Sequence, residues 1–302
     1  MSLEQFFADT EALLQVGFVQ QAVIASALLG VLSGVMTPLI VLRRMSFSVH
    51  ATSELALMGA AAALVFGFNI GFGALAGAIA AAIVLAVLGF RGQQDSSIGV
   101  VMSFGLGLAV LFLYLYPGNS TTAMSLLTGQ IVGVSSASTW LLALVTVIVI
   151  GAVILLWRPL LFASTDPEMA RAVGIPVHGL AVVFAILVGL TSAQSVQIVG
   201  ALLVMALLIT PGAAAAHVAR SPLTTVLLSV LFAEISAVGG LLLSLAPGLP
   251  VSVFVTTISF IIYLICRTIG ALRERKISRD EVAAARYDER PEPTPDPHHH
   301  LD

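Results

Sequence analysis

The chain has 302 residues, 58% hydrophobic and 10% charged, with a formal net charge of −3 and a mean hydropathy of +1.05. Soluble domains carry about 25% charged residues, so these values exclude a water-soluble globular protein and indicate a polytopic membrane protein. Its one cysteine, Cys266, excludes an internal disulfide, and so small a net charge says little about partners.

Residues 1–17 carry Glu4, Asp9 and Glu11 among Phe6, Phe7, Leu13 and Leu14, the composition of a short amphipathic helix lying in the membrane interface. No basic segment followed by a cleavage site stands here, so we expect no removable signal peptide. Apolar spans follow at about 18–42, 46–68, 71–90, 96–116, 124–157, 178–193, 196–216, 222–245 and 251–269. The stretch 124–157 exceeds the roughly 20 residues one crossing needs. We read Met124–Val134 as a partial or re-entrant segment and begin the full span near Ser138. A polar turn is expected at Gln194, Ser195 and Gln197. Of the 29 charged residues, 14 fall after residue 270, so 271–302 reads as a charged tail whose composition indicates disorder. Three regions result: an interfacial segment at 1–17, a membrane domain at 18–270 and the tail.

The second span opens on Arg43-Arg44-Met45-Ser46-Phe47 and carries His50 and Glu54 four residues apart. On a helix that spacing puts both side chains on one face. Glu54 lies about 16 Å beyond Arg43 at about 1.5 Å per residue, near the middle of a hydrocarbon core about 30 Å thick. Charge at that depth marks a candidate functional site. The same residues also suit a plain ion pair, or a glutamate held by hydroxyls of a neighbouring helix. Glu234, midway along the span 222–245, raises the same two alternatives: a ligand, or a carboxyl bonded to an adjacent Ser or Thr.

Alternating nine spans with Arg43 and Arg44 inside puts Arg91, Arg158, Arg171, Arg220, Arg267 and the six basic residues of the tail inside as well. No Lys or Arg is left in an outside loop, as the positive-inside rule requires. The C-terminus is then cytoplasmic. The one long inside loop contains Asp166-Pro167-Glu168-Met169-Ala170-Arg171-Ala172-Val173-Gly174-Ile175-Pro176. Asp166 suits a helix N-cap and Pro167 the first turn. Gly174 suits the position just past the helix end, and Pro176 prevents continuation. A surface helix of about two turns is expected.

Arg-Arg-Met-Ser-Phe at the head of a span, Asp166-Pro-Glu-x-Ala-x-x-x-Gly174, and Val199-Gly-Ala-Leu-Leu-Val-Met-Ala-Leu-Leu-Ile-Thr-Pro-Gly212, in this order, resemble the permeases of manganese, zinc and iron ABC importers. Asp95-Ser-Ser-Ile-Gly99, Leu126-Leu-Thr-Gly129 and Gly239-Gly-Leu-Leu-Leu-Ser244 add to the likeness, which covers about residues 18–270. It implies an all-α permease of about eight or nine transmembrane helices in a prokaryotic cytoplasmic membrane. It also implies a homodimeric or heterodimeric pore and an extracytoplasmic metal-binding protein. A cytoplasmic ATPase would dock on a coupling helix carrying Asp166, Glu168, Arg171 and Gly174. No phosphate-binding loop of the Gly-x-x-x-x-Gly-Lys-Ser/Thr type occurs in the chain, so ATP hydrolysis is expected in the partner and no enzymatic activity here.

The family usually has Asp, then His four residues on; here the order is His50, then Glu54. Imidazole and carboxylate together suit Mn, Zn and Fe(II), as transported substrate rather than permanent cofactor. The family usually has an apolar residue where Glu234 stands, so Glu234 is a candidate third ligand. Two other readings stay open: a proton-coupled metal transporter using the same three residues as a relay, and an ABC permease for metal chelates. His298, His299 and His300 can bind metal or be a chance run.

Overall fold

The computed structural model describes residues 10, 12–89, 94–128, 134–247 and 249–288. Every element among them is helical: α1 Gly17–Leu42, α2 Ser46–Phe66, α3 Ile70–Gly89, α4 Gln94–Leu115, α5 Ser120–Thr128, α6 Ser136–Leu155, α7 Trp157–Thr165, α8 Pro167–Ala172, α9 Val177–Val199, a 3₁₀ turn Ala201–Leu203, α10 Val204–Leu208, α11 Thr210–Val218, α12 Pro222–Leu245 and α13 Val251–Asp288. Most of the 1–17 segment and the terminal histidines lie outside the described residues. Seven of these helices are long and apolar enough to cross a membrane, and two shorter apolar helices, Ile70–Leu85 and Val204–Val218, lie among them. The architecture is that of a polytopic all-α membrane protein.

The core runs along α1, α2 and α9, where Leu29, Leu32, Met36, Leu57, Phe184 and Ile198 are fully buried. Helices α3 and α4 pack on α2, and α12 packs on α1, with α11 and α13 beyond. Helices α4 and α13 leave Val100, Phe104, Tyr114, Phe260, Ile261 and Ile265 exposed; apolar surface of this kind suits lipid or a second chain.

Close approach, not hydrophobicity, fixes which helices touch. Between lipid-soluble surfaces the hydrophobic effect does not select partners, and small residues let backbones come within contact distance. Along the α2–α3 seam a Cβ on Gly59 would collide with the Gly73 carbonyl, and one on Gly77 with the Leu55 carbonyl. Along the α1–α12 seam a Cβ on Gly34 would strike the Val230 backbone. Overpacking a tight interface costs about 1–3 kcal/mol, so Gly77→Leu should lower the thermal midpoint of the detergent-solubilised protein by roughly 5 °C. An unchanged midpoint by fluorescence-detected gel filtration would mean that the seam does not hold the helices together.

Three features differ from the expectation and one agrees with it. Helix α9 does not turn at Gln194–Gln197 but continues to Val199, and the chain breaks at Gly200, whose φ is 80°. The hydroxyls of Thr191 and Ser195 donate to the Leu187 and Thr191 carbonyls at 2.8 and 2.9 Å, so residues that look like a loop are accommodated inside a helix. The span 196–216 is not one rod. Helix α10 ends after five residues and α11 restarts at Thr210, where Pro211 has no backbone N–H to give a continuous ladder. The stretch 124–157 divides as expected into a short α5 and a full α6, capped by Ser135, whose hydroxyl accepts from the Ser138 amide at 3.2 Å; α7 then follows as a separate helix. Finally, the tail is helical through Asp288, a correction of the disorder read from its charge. Residues 271–288 contain no Gly or Pro, are rich in Ala, Arg and Glu, and extend a helix already nucleated in the membrane.

Candidate functional site

Helix α2 carries the charged pair. Its apolar small residues Ala51, Ala56, Ala60 and Ala61 are buried against neighbouring helices, while His50 and Glu54 share one side. His50 Nδ1 stands 3.9 Å from Glu54 Oε1, with the His50 side chain one-third exposed and that of Glu54 buried. That separation is too long for a hydrogen bond. Both His50 Nδ1 and Glu54 Oε2 are buried without a hydrogen-bond partner. The nearby hydroxyls are committed elsewhere: Thr52 donates to the Ser48 carbonyl and Ser53 to the His50 carbonyl, each at 2.7 Å. No hydroxyl bonds Glu54 among the described residues, so the alternative of a glutamate satisfied by Ser or Thr is absent here. A nitrogen and a carboxylate with free lone pairs, one turn apart, can bind a divalent cation.

Glu234 does not join them. Its carboxyl lies on the α1–α12 seam, where a Cβ at Gly30 would be 2.6 Å from Oε1, and Oε1 is buried without a partner. Helix α2 packs instead on α3, α4 and α9. Among the described residues no three His, Cys, Asp or Glu side chains converge to hold a metal ion, which corrects the expected set of His50, Glu54 and Glu234. Depth along a span can be read from sequence; the side of the bundle a span faces cannot.

The surface helix α8 forms as its residues dictate. Asp166 accepts from the Met169 amide at 2.9 Å through its side chain, and Pro167 occupies the first turn. The chain reverses at Gly174, φ 87°, with Gly174 N–H donating to Arg171 O and Ile175 N–H to Ala170 O, both at 3.0 Å. The helix has six residues rather than two full turns. Ala170 faces inward, Asp166, Glu168 and Arg171 are exposed, and Met169 and Val173 are 53% and 60% exposed. The sequence reading passed over these two apolar side chains, although their exposure beside charged neighbours gives the helix a mixed contact surface.

Arg43 ties this corner to the spans. Its Nε donates to Ser164 Oγ at 2.7 Å and its Nη2 to the Leu160 carbonyl at 3.4 Å, and the guanidinium carbon lies 4.5 Å from the centre of the Phe184 ring, a cation–π contact. Burial lowers the guanidinium from its ordinary value by desolvation, but it stays charged. One residue thus joins the end of α1, α7 and α9. Its basic character was legible as an inside marker; its three contacts were not.

At the other end of the bundle Gln197 Nε2 donates to Ser138 Oγ at 3.0 Å, beside Asn69 and Ser125 in a polar cavity of about 360 Å³. Gln194, one turn deeper, is fully buried with neither amide atom bonded. In place of the expected polar turn, the continued helix buries Gln194 and half-buries Gln197.

Comparison with known proteins bears on the family and the fold. Residues 15–269 match the family model described as the ABC 3 transport family. The chain is 33% identical over 277 residues to the manganese transport system membrane protein MntC of Listeria innocua, covering 88% of this chain and 97% of that one. It is 31% identical over 257 residues to the manganese import system permease protein ScaB of Streptococcus parasanguinis, covering 84% and 91%. Its fold superposes on PsaBC from Streptococcus pneumoniae, solved in complex with Fab, with a TM-score of 0.79 and 26% identity over 88% of this chain and 95% of that one.

Proposed function

This chain belongs to the ABC 3 transport family, and from that premise we propose that it is the permease subunit of an importer for a divalent transition metal. Manganese is the first candidate, because the relatives named for a substrate are manganese transporters; zinc and Fe(II) suit the same ligands. The observation that carries the reading is the His50–Glu54 pair, with its unbonded nitrogen and oxygen inside a membrane-spanning helix. Mixed nitrogen and oxygen ligands bind such ions without the closed thiolate cage of a structural site, and a transport site must release what it binds.

Energy then enters through the corner described above. A separate ATPase subunit docks on Glu168, Met169, Arg171 and Val173, and movement of α8 reaches the spans through α7 and Arg43. An extracytoplasmic binding protein delivers the metal to the opposite end, and a second permease chain completes the pathway. The positive-inside pattern supports a cytoplasmic C-terminus in a prokaryotic plasma membrane.

The test separates this from proton-coupled transport. Membrane vesicles holding the permease with its ATPase, and with the metal-binding protein on the opposite side, should accumulate manganese when ATP is supplied on the cytoplasmic side, and a pH gradient alone should drive none. Accumulation from a pH gradient without ATP would overturn the ABC reading in favour of a proton relay, which leaves the capped helix α8 without a purpose.

A further inference from the structure

Beside Arg43 stands an arginine with nothing to hold. Arg44 has a φ of 55°, the one positive value at a non-glycine among the described residues. That conformation closes α1: Arg44 N–H donates to Val41 O and Met45 N–H to Ile40 O, both at 3.0 Å, the hydrogen bonds of a helix C-cap in the left-handed conformation. Arg43 is occupied by Ser164, Leu160 and Phe184. The Arg44 guanidinium makes no hydrogen bond or ion pair among the described residues.

Both arginines line a cavity of about 480 Å³ enclosed by the α1–α2 corner, α3, α4, the α7–α8 region and α9. Its size is within the range of about 300–1,000 Å³ that small-molecule sites occupy. The cavity has two characters. Arg44 and Ser97 sit near helix ends, whereas Val188 lies eleven residues into α9 and Ala82, Ala181 and Ala185 add apolar wall. At about 1.5 Å per residue the apolar part reaches about 16 Å along α9. Among the described residues no Asp or Glu lines it, and the charged groups described there are Arg43 and Arg44. A free anion would use the arginines but not the apolar depth; a neutral lipid would use the depth but not the charge.

We propose that this cavity binds one anionic phospholipid of the cytoplasmic leaflet, its phosphate on Arg44 and an acyl chain between α2, α3 and α9. Basic pockets between spans on the cytoplasmic side favour anionic headgroups. Ala163, Ser164 and Pro167 of the docking corner line the same cavity, so the lipid braces the helices on which the ATPase docks. The proposal uses the inside orientation of this end, but not the metal reading.

Native mass spectrometry of the detergent-purified full chain tests it, with phosphatidylglycerol and phosphatidylcholine of matched acyl chains as probes. Wild type should retain one phosphatidylglycerol per chain at concentrations where phosphatidylcholine is lost. Arg44→Gln should weaken that retention roughly tenfold, the loss expected for one charged hydrogen-bond partner. Ala185→Phe, which fills the apolar part, should weaken it while both arginines remain. Arg220→Gln, on the same side but away from the cavity, should leave it unchanged. Equal retention of the two lipids by wild type would overturn the proposal without any variant having to fold. So would equal loss in Arg220→Gln, or displacement of the lipid by millimolar inorganic phosphate, which would mark a free-anion site. Neither outcome bears on metal uptake, so failure here is distinct from failure of the permease reading.

Discussion

Cells expressing His50→Ala or Glu54→Gln at wild-type membrane levels should lose manganese uptake by about 100-fold or more. Even residues that only orient metal ligands contribute about 10–100-fold to affinity or activity, and a two-residue site has no spare ligand. His50 Nδ1 and Glu54 Oε2 have no competing bonds to release, so either substitution removes half of the donors without repairing another contact. Membrane insertion should not suffer, because each change removes a group that is expensive in hydrocarbon. Uptake by wild type should also fall on acidification, since protons compete with the metal for imidazole and carboxylate. Glu234→Gln serves as the control for loss of an intramembrane carboxylate. It lies on the α1–α12 seam, and uptake should stay within about twofold of wild type, the spread that context alone introduces. Manganese, zinc and Fe(II) uptake at wild-type rates in the His50→Ala, Glu54→Gln double variant would remove the pair from the pathway.

Gly174→Trp should give a folded permease in which ATP hydrolysis no longer drives uptake. Two separate effects act there. The backbone at φ 87° is strained for any L-residue, so the turn closing α8 loses its hydrogen-bonded geometry. A Cβ at Gly174 meets nothing within 4 Å, so the indole enters open space beside the exposed face of α8 rather than the core. The expected result is uptake at least tenfold lower with ATPase activity retained, a difference of about 1.4 kcal/mol or more in coupling. Gly174→Ala separates the two effects, because it strains the turn without covering the surface, and should be intermediate. Normal ATP-driven uptake by Gly174→Trp would show that the ATPase docks elsewhere.

Much of this protein was legible before its tertiary structure. Composition and run length dictate a polytopic helical membrane protein, because backbone polar groups in hydrocarbon must be satisfied within each span. Local chemistry dictates α8: Asp166, Pro167 and Gly174 act within a few residues of one another, and they form in the structure the cap, first turn and reversal that their types require. The spacing of His50 and Glu54 likewise implies a shared face, and they do share one. In each case cause and effect lie within one or two helical turns.

What tertiary structure decided depends on which helices meet. Depth is encoded along the chain, but azimuth is not, and lipid does not favour one apolar face over another. Glycine seams chose α12 for α1 and α3 for α2, which carried Glu234 away from the pair its depth had suggested. The same packing buried Gln194 and Ser195 inside α9, moved the break to Gly200, and turned Arg43 from a marker of sidedness into a clamp on α7. A sequence fixes the local geometry of a hydrophobic helix through its own backbone bonds. Its neighbours are selected by van der Waals fit over distant residues, and that fit exists only once the helices are assembled.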